Sequence, residues 1–245
     1  MSAAVQQMPS PFSPNSSQIA VAYSVCRSIT RSAAKNFYYA FLVLPVAKRQ
    51  ALCAVYAFMR RCDDISDDGK FPDYERRQKL EAWLDDFHHA QLGRPTDDPV
   101  LLALTDTQRR YKIPVELLDQ LAYGTGMDIQ ESAGGVATLQ VLYRTFGDLR
   151  VYCYRVASVV GLVCIRIFGY QDAAAEPLAE NLGLAFQLTN IIRDIKEDAG
   201  MGRIYLPAED LDSFKVTAEE FRQAAIPERL RWLLAAEADR AREYY

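Results

Sequence analysis

Asp63 and Asp67 stand four residues apart in the stretch RRCDDISDDGKFPDYE (60–75), and Asp64 with Asp68 repeats the spacing one step around. On a helix this stacks two carboxylates on one face, about 6 Å apart, and like charges so placed disfavour an isolated helix. A bound cation would offset that repulsion. A second column occurs in QLTNIIRDIKEDAGMGR (187–203), where Asp194 and Asp198 are again four apart, Asn190 lies one turn upstream and Gln187 three residues before that. Carboxylate and amide oxygens without His or Cys suit Mg2+ or Mn2+, and Mg2+ keeps positions open for water and substrate phosphates. Arg60, Arg193 and Arg203 stand beside the two columns, and guanidinium forks bind phosphate oxygens in pairs. Apolar segments surround both motifs, ALCAVYAF before the first and LGLAFQLTNII around the second. The chemistry this suggests is the handling of a diphosphate that carries a hydrocarbon tail.

A single DxxxD pair usually marks a solvated helix face; two of them, each with apolar flanks and a nearby Arg, are harder to explain that way. One rival lies within the first motif. From Asp64, the residues Asp64, Ser66, Asp68, Gly69 and Glu75 approach a twelve-residue EF-hand loop. That reading makes the chain a non-catalytic helical calcium-binding protein. It places Pro72 at the ninth position and leaves the second acidic column unexplained.

Composition narrows the classes further. The 245 residues are 50% hydrophobic, enough for a sizeable core, and the net charge is −4 without a basic block that would suit nucleic acid. Cys26, Cys53, Cys62, Cys153 and Cys164 form no CxxC pair and read as reduced thiols of a cytoplasmic protein. His88 and His89 are the only histidines, and adjacent residues do not share a helix face, which argues against a His metal site or a Ser-His triad. The Pro/Ser-rich residues 1–18 read as a disordered lead-in, not a signal peptide. The longest apolar stretch, VASVVGLVCIRIFGY, is interrupted by Arg166 and is shorter than a spanning helix, so a core helix is expected there.

Periodicity is helical nearly throughout and predicts an all-α chain. Helices are expected over 19–34, 37–44, 47–64, 74–91, 99–111, 114–132, 139–158, 159–168, 174–196 and from 218 to the end, within a single domain over 19–245. Thr217 with Glu220 is the expected capping box of the last helix. The segment around YCYRVASVVG is apolar on nearly every face, which suits the middle of a bundle. Its small residues Ala157, Ser158 and Gly161 would admit either a close helix or an apolar ligand.

Over residues 37–207 the sequence resembles the squalene/phytoene synthases, the head-to-head (1-1′) prenyl transferases. The resemblance rests on FYYAFLVLP, YAFMRRCDDISDD, YCYRVASVVG and LGLAFQLTNIIRDIKEDAGMGRIYLP, in that order. It implies a single-domain isoprenoid-synthase helical bundle around a central apolar cavity. It also implies that Asp63, Asp67, Asn190, Asp194 and Asp198 hold Mg2+, and that Arg60, Arg193 and Arg203 hold diphosphate. Tyr152 matches the family tyrosine near the reacting centre. Phe37, Phe41, Tyr56, Val156, Ala157, Val160, Gly161, Leu182, Phe186 and Gln187 correspond to the lining of the prenyl pocket.

The implied reaction joins two farnesyl diphosphates into presqualene diphosphate, as in bacterial hopanoid pathways, with Tyr152 or released pyrophosphate taking the proton. Alternatives are a phytoene synthase using geranylgeranyl diphosphate, or a squalene synthase that goes on to a reduction with NADPH. The resemblance further implies a monomer or weak dimer in a bacterial-type cytoplasm, with peripheral membrane contact for product release. The chain departs from the family in two places. RSAAKN precedes FYYAF where many members carry Ser, leaving Lys35 or Asn36 for a phosphate contact, and the chain ends at AREYY where members continue for another helix or more.

Overall fold

The computed structural model describes residues 14–127, 139–223 and 225–245. The all-α expectation holds: the described residues form twelve α-helices, one π-helical and one 3-10 segment, and a single pair of two-residue strands. Contacts gather into two compact units, residues 1–115 and 116–245.

The first unit holds α1 (Ser16–Ala33), α2 (Lys35–Phe41), α3 (Val46–Ser66), α4 (Asp73–Gln91) and α5 (Pro99–Tyr111). Asn15 and Gln18 form a capping box, so α1 begins inside the stretch expected to be a lead-in; residues 1–13 of that stretch lie outside the described residues. The central helix is α3, which packs against α1, α4 and α5 and buries Leu52, Cys53, Val55, Phe58 and Cys62. Phe58 meets Phe87 of α4 with ring centres 5.3 Å apart. Asp98 caps α5 through the amides of Val100 and Leu101, and Pro99 needs no partner at that position.

The second unit runs through α6 (Val115–Met127), β1 (Gln140–Val141), α7 (Phe146–Cys153), a π-helical segment (Tyr154–Ser158), α8 (Val159–Phe168), α9 (Ala175–Arg193), α10 (Ile195–Gly200), β2 (Arg203–Ile204), α11 (Ala208–Phe214), a 3-10 turn (Ala218–Arg222) and α12 (Glu228–Glu243). The tail of the helix expected over 114–132 lies partly outside the described residues. The helix expected over 139–158 is not one element. Its first residues are β1, which pairs parallel with β2, and α7 starts only after a Thr145/Asp148 capping box. The helix expected from 218 is interrupted too: a 3-10 turn ends at Arg222, and α12 starts only after Pro227, its N-cap. The Thr217 side chain makes no cap bond to the turn's backbone, while the buried Glu220 carboxylate accepts from Thr217 and is paired with Arg229.

One helix crossing organises this unit. A side chain at Gly183 of α9 would meet the backbone of Ser158 and Ala157 closer than real Cβ atoms come. One at Gly161 of α8 would meet the Ala179 carbonyl at 3.0 Å. Ser158 adds a hydrogen bond, donating its hydroxyl to the Glu180 carbonyl at 2.7 Å. The α7–π–α8 run, Phe146–Phe168, is 23 residues long and, among the described residues, is the one helical run long and apolar enough to cross a membrane by length and composition. The helical run begins at Phe146, ten residues before the apolar stretch singled out in the sequence, and this accounts for the difference from the shorter span expected. Leu149, Tyr152, Cys153, Val159, Leu162, Val163 and Ile167 are buried, as expected of a core helix, but only a third of its most apolar window is covered.

At the far end Arg240 of α12 donates to Asp210 of α11 and to Glu237, each at 2.8 Å, with its guanidinium 4.4 Å from the Phe146 ring centre. Burial pushes the Glu237 carboxyl up to about 7, reinforced by Asp210 and opposed by Arg240.

Two measurements check these points. Gly183→Ala should lower unfolding stability by about 1–3 kcal/mol in urea titrations, because backbone must move to admit the methyl group; an unchanged midpoint would contradict the crossing. Glu237 holds its proton in the fold to higher pH than when unfolded, so it favours folding less as pH rises from the unfolded value through about 7. Glu237→Gln should therefore gain stability relative to wild type between pH 5 and pH 8. A difference independent of pH would count against that protonation.

Candidate diphosphate and metal site

In the second unit the column of Asn190, Asp194 and Asp198 lies at a break in the helix. The expected continuous helix ends at Arg193; Asp194 has φ −95° and ψ 7°, and α10 restarts at Ile195. The one-turn spacing survives the break. Asp194 N–H donates to the Asn190 carbonyl and Asp198 N–H to the Asp194 carbonyl, both at 2.9 Å. Arg193 grips Asp194 with both ends of its fork, Nε to Oδ1 at 2.7 Å and Nη2 to Oδ2 at 2.6 Å. That fork holds the Asp194 carboxyl below the usual carboxylate range. Asp198 moves the other way: partial burial raises it first and the nearby Asp194 charge adds to this, while Arg203 pulls it down. Arg203 is fixed by β2, whose pairing places Gln140 N–H on the Gly202 carbonyl at 2.9 Å. Gly202 has φ 87°, a left-handed conformation that lets the chain turn from α10 into β2.

An apolar stripe continues up the same helix. Leu178, Leu182 and Phe186 follow at intervals of four and are 67%, 43% and 52% exposed. Phe186 meets Tyr245 edge-on at 5.8 Å, and Gln187 is half-buried. Leu178 lies in none of the sequence motifs, and its position one turn before Leu182 is the signal that marks it. Ala157 and Gly161 serve the crossing with α9, and Val156 packs on the unit's core; Val160 is half-buried. Tyr152 is 5% exposed, its ring stacked on Tyr205 at 5.3 Å and beside Tyr143 at 5.4 Å. The structure thus places Tyr152 in an aromatic core cluster with Tyr205, which belongs to the signature ending in GRIYLP, and with Tyr143, which lies in none of the quoted motifs.

In the first unit, α3 ends at Ser66, and Asp67 is its C-cap, with its N–H on the Asp63 carbonyl at 2.8 Å. Asp63 is half-buried and Asp67 exposed, so the pair keeps its spacing at a helix end. Arg60 pairs with Asp64 at 2.6 Å, one step away from the Asp63 face. Phe37 lies 6.4 Å from both Phe41 and Tyr56 by ring centres, which brings three predicted pocket residues of α2 and α3 into one aromatic group. The calcium-loop alternative is not formed. Asp64 to Ser66 are the last turn of α3, Ser66 is buried, and Arg76 closes that helix by donating to the Ser66 carbonyl.

Among the described residues no group of three or more His, Cys, Asp or Glu side chains gathers to hold a metal ion by protein groups alone. The donors fit a hard divalent cation of the magnesium kind, which takes one or two carboxylates and fills its remaining positions with water and phosphate oxygens. The five cysteines are free, and burial pushes the thiols of Cys26, Cys62 and Cys153 up to about 12, so none is suited to bind a metal as thiolate.

Residues 30–245 match the family model described as squalene/phytoene synthase. A phytoene synthase of Mycobacterium tuberculosis is 39% identical over 231 residues, 93% of this chain and 72% of that protein. A presqualene diphosphate synthase of Rhodopseudomonas palustris is 37% identical over 212 residues, 86% of this chain and 71% of that protein. The crystal structure of squalene synthase HpnC from Alicyclobacillus acidocaldarius superposes with a TM-score of 0.82 at 30% identity, covering 94% of this chain and 82% of that one. The helical architecture, the two acidic columns with their arginines and these matches agree: the chain belongs to the squalene/phytoene synthase family, prenyltransferases that condense prenyl diphosphates head to head.

Proposed function

We propose that the protein condenses two farnesyl diphosphates, with Mg2+, to presqualene diphosphate and pyrophosphate. The observation that carries this is α9 itself, which bears a hydrocarbon-sized apolar stripe (Leu178, Leu182, Phe186) and, one turn on, the Asn190–Asp194 start of a hard-oxygen column. A charged head and an isoprenoid tail are recognised by one rigid element. The fifteen-carbon chain is the tail this reading assigns to the stripe. The likeness to the HpnC squalene synthase supports the same choice.

Magnesium bound by Asn190, Asp194 and Asp198, with Asp63 and Asp67 as the equivalent column of the first unit, would neutralise diphosphate charge as the C1–O bond breaks. Arg193 and Arg203 would donate to diphosphate oxygens, Arg193 by exchanging its Asp194 contact for phosphate. The allylic cation formed at C1 is attacked by the C2=C3 bond of the second farnesyl diphosphate, and loss of a proton closes the cyclopropane ring. The aromatic faces of Phe37, Phe41, Tyr56 and Phe186 suit the passing positive charge, and bound substrate tails would cover the exposed Phe37 and Phe186 rings and keep water from the cation. Because Tyr152 is packed into a tyrosine stack, released pyrophosphate is the better proton acceptor. NADPH enters only if the reaction proceeds to squalene. A second reading, phytoene synthase acting on geranylgeranyl diphosphate, is favoured by the 39% identity to the mycobacterial phytoene synthase.

Supplying each diphosphate separately with Mg2+ and identifying the products decides between the two. Presqualene diphosphate from the fifteen-carbon substrate supports the proposal. Turnover of the twenty-carbon substrate alone replaces it with the second reading. Asp63→Ala and Asp194→Ala should each lower kcat by about a hundredfold or more, the scale of losing charge stabilisation at a departing group, and EDTA should abolish turnover. Undiminished turnover in both variants would sink the site.

A further inference from the structure

The first unit carries a feature the proposed reaction does not use. Helix α2 and the turn after it are largely open to solvent. Phe37 packs on Phe41 and on Tyr56 of α3 yet stays 61% exposed, and Tyr39 of α2, Leu42 and Val43 of the turn and Val46 at the start of α3 are 61%, 43%, 85% and 58% exposed. No residue of α2 is buried. The turn between the helices, LVLP, has its backbone largely satisfied: Leu42 N–H donates to the Tyr39 carbonyl and Leu44 N–H to the Phe41 carbonyl, each at 3.1 Å, and Pro45 has no N–H. A turn whose backbone is so satisfied can enter an apolar interface with little polar penalty.

Along the chain, the charge on either side of this turn is of one sign. Arg27, Arg31 and Lys35 follow one another at intervals of four into α2, and Arg31 lies over the Tyr38 ring, which itself abuts Tyr39. Lys48 lies in the first turn of α3 and Arg49 follows it; that helix end carries no acidic residue, although the helix dipole favours one there. All 32 acidic residues of the chain lie from Asp63 onward, so residues 1–62 are purely basic in a chain whose net charge is −4.

We propose that the α2–α3 turn, with Tyr39, Leu42, Val43 and Val46 as its apolar tip and Arg27, Arg31, Lys35, Lys48 and Arg49 as its basic surround, docks on the surface of an anionic lipid bilayer. Exposed apolar side chains at a tip, ringed by cations and without an acidic neighbour in sequence, match the headgroup–acyl boundary of such a membrane. The surround needs negative headgroups and the tip needs acyl chains, so free phosphate satisfies only half of the surface. A lipid-like substrate would enter or leave beside α2, which also carries Phe37 and Phe41; this last point rests on the proposed function, whereas the docking itself does not.

The test is co-sedimentation of the full chain with phosphatidylcholine vesicles, with and without phosphatidylglycerol. Wild type should bind the anionic vesicles, release with added salt, and bind neutral vesicles weakly. Val43→Glu with Val46→Glu should lose vesicle binding while keeping its circular dichroism melt. Arg27→Gln with Arg31→Gln should weaken partitioning by roughly thirtyfold, at about fivefold per cation. Absence of wild-type binding to anionic vesicles at low salt, or full binding by the Val43/Val46 variant, overturns the proposal. Equal binding to neutral and anionic vesicles overturns its electrostatic part. Since binding is read without turnover, failure of the enzymatic reading leaves this result standing, and the reverse holds as well.

Discussion

The contact of Gly183 with the Ala157–Ser158 backbone fixes the distance between two helices that carry most of what matters in the second unit. Where two helix backbones meet without side chains between them, their relative rotation is set within narrow limits, because any shift collides backbone with backbone. With α9 so held, its outward stripe and its C-terminal oxygen column have fixed directions. The tyrosine cluster of Tyr143, Tyr152 and Tyr205 adds a second anchor and ties α7 to the strand that follows α10. Arg203 is therefore positioned by the same packing that positions Asp194, although the two reach their places through different elements.

The sequence was informative where one rule dominated. The bounds of α5 are legible because Pro99 starts it, and the body of α3 follows from its unbroken apolar period. The acidic columns were legible because spacing alone defines them, and the backbone bonds Asp63–Asp67 and Asp194–Asp198 keep that spacing even where regular helix ends. What escaped was non-local. Two-residue strands carry no period, so β1 was absorbed into a helix. Glu220 does reach back to Thr217, but the element it caps is a 3-10 turn and not the last helix, and Arg229, nine residues on, adds an ion pair that spacing does not show. Small residues at 157 and 161 were compatible with either a ligand or a helix, and only the position of α9 decides that they receive a helix.

Charge is distributed by task in this chain. Arg193 and Asp194 neutralise each other in a fork that leaves both near solvent, an arrangement in which the arginine can exchange one set of oxygens for another at small cost. Asp198, by contrast, is partly buried beside like charge and has most to gain from an added cation. Glu237 and Arg240 form a third kind of pair, buried, and joined to Asp210 to hold α12 in place.

The π-helical segment Tyr154–Ser158 gives the long apolar run a property that a uniform rod lacks. A wider turn inserts a rotational offset, so residues before and after it fall out of phase. Tyr152 and Cys153 upstream face the tyrosine-lined core, while Gly161 downstream faces Ala179. One rod thereby meets two partners whose demands a constant 3.6-residue period would set against each other. The segment is a phase adaptor, and its length in residues matters to the unit more than the chemistry of any one side chain within it.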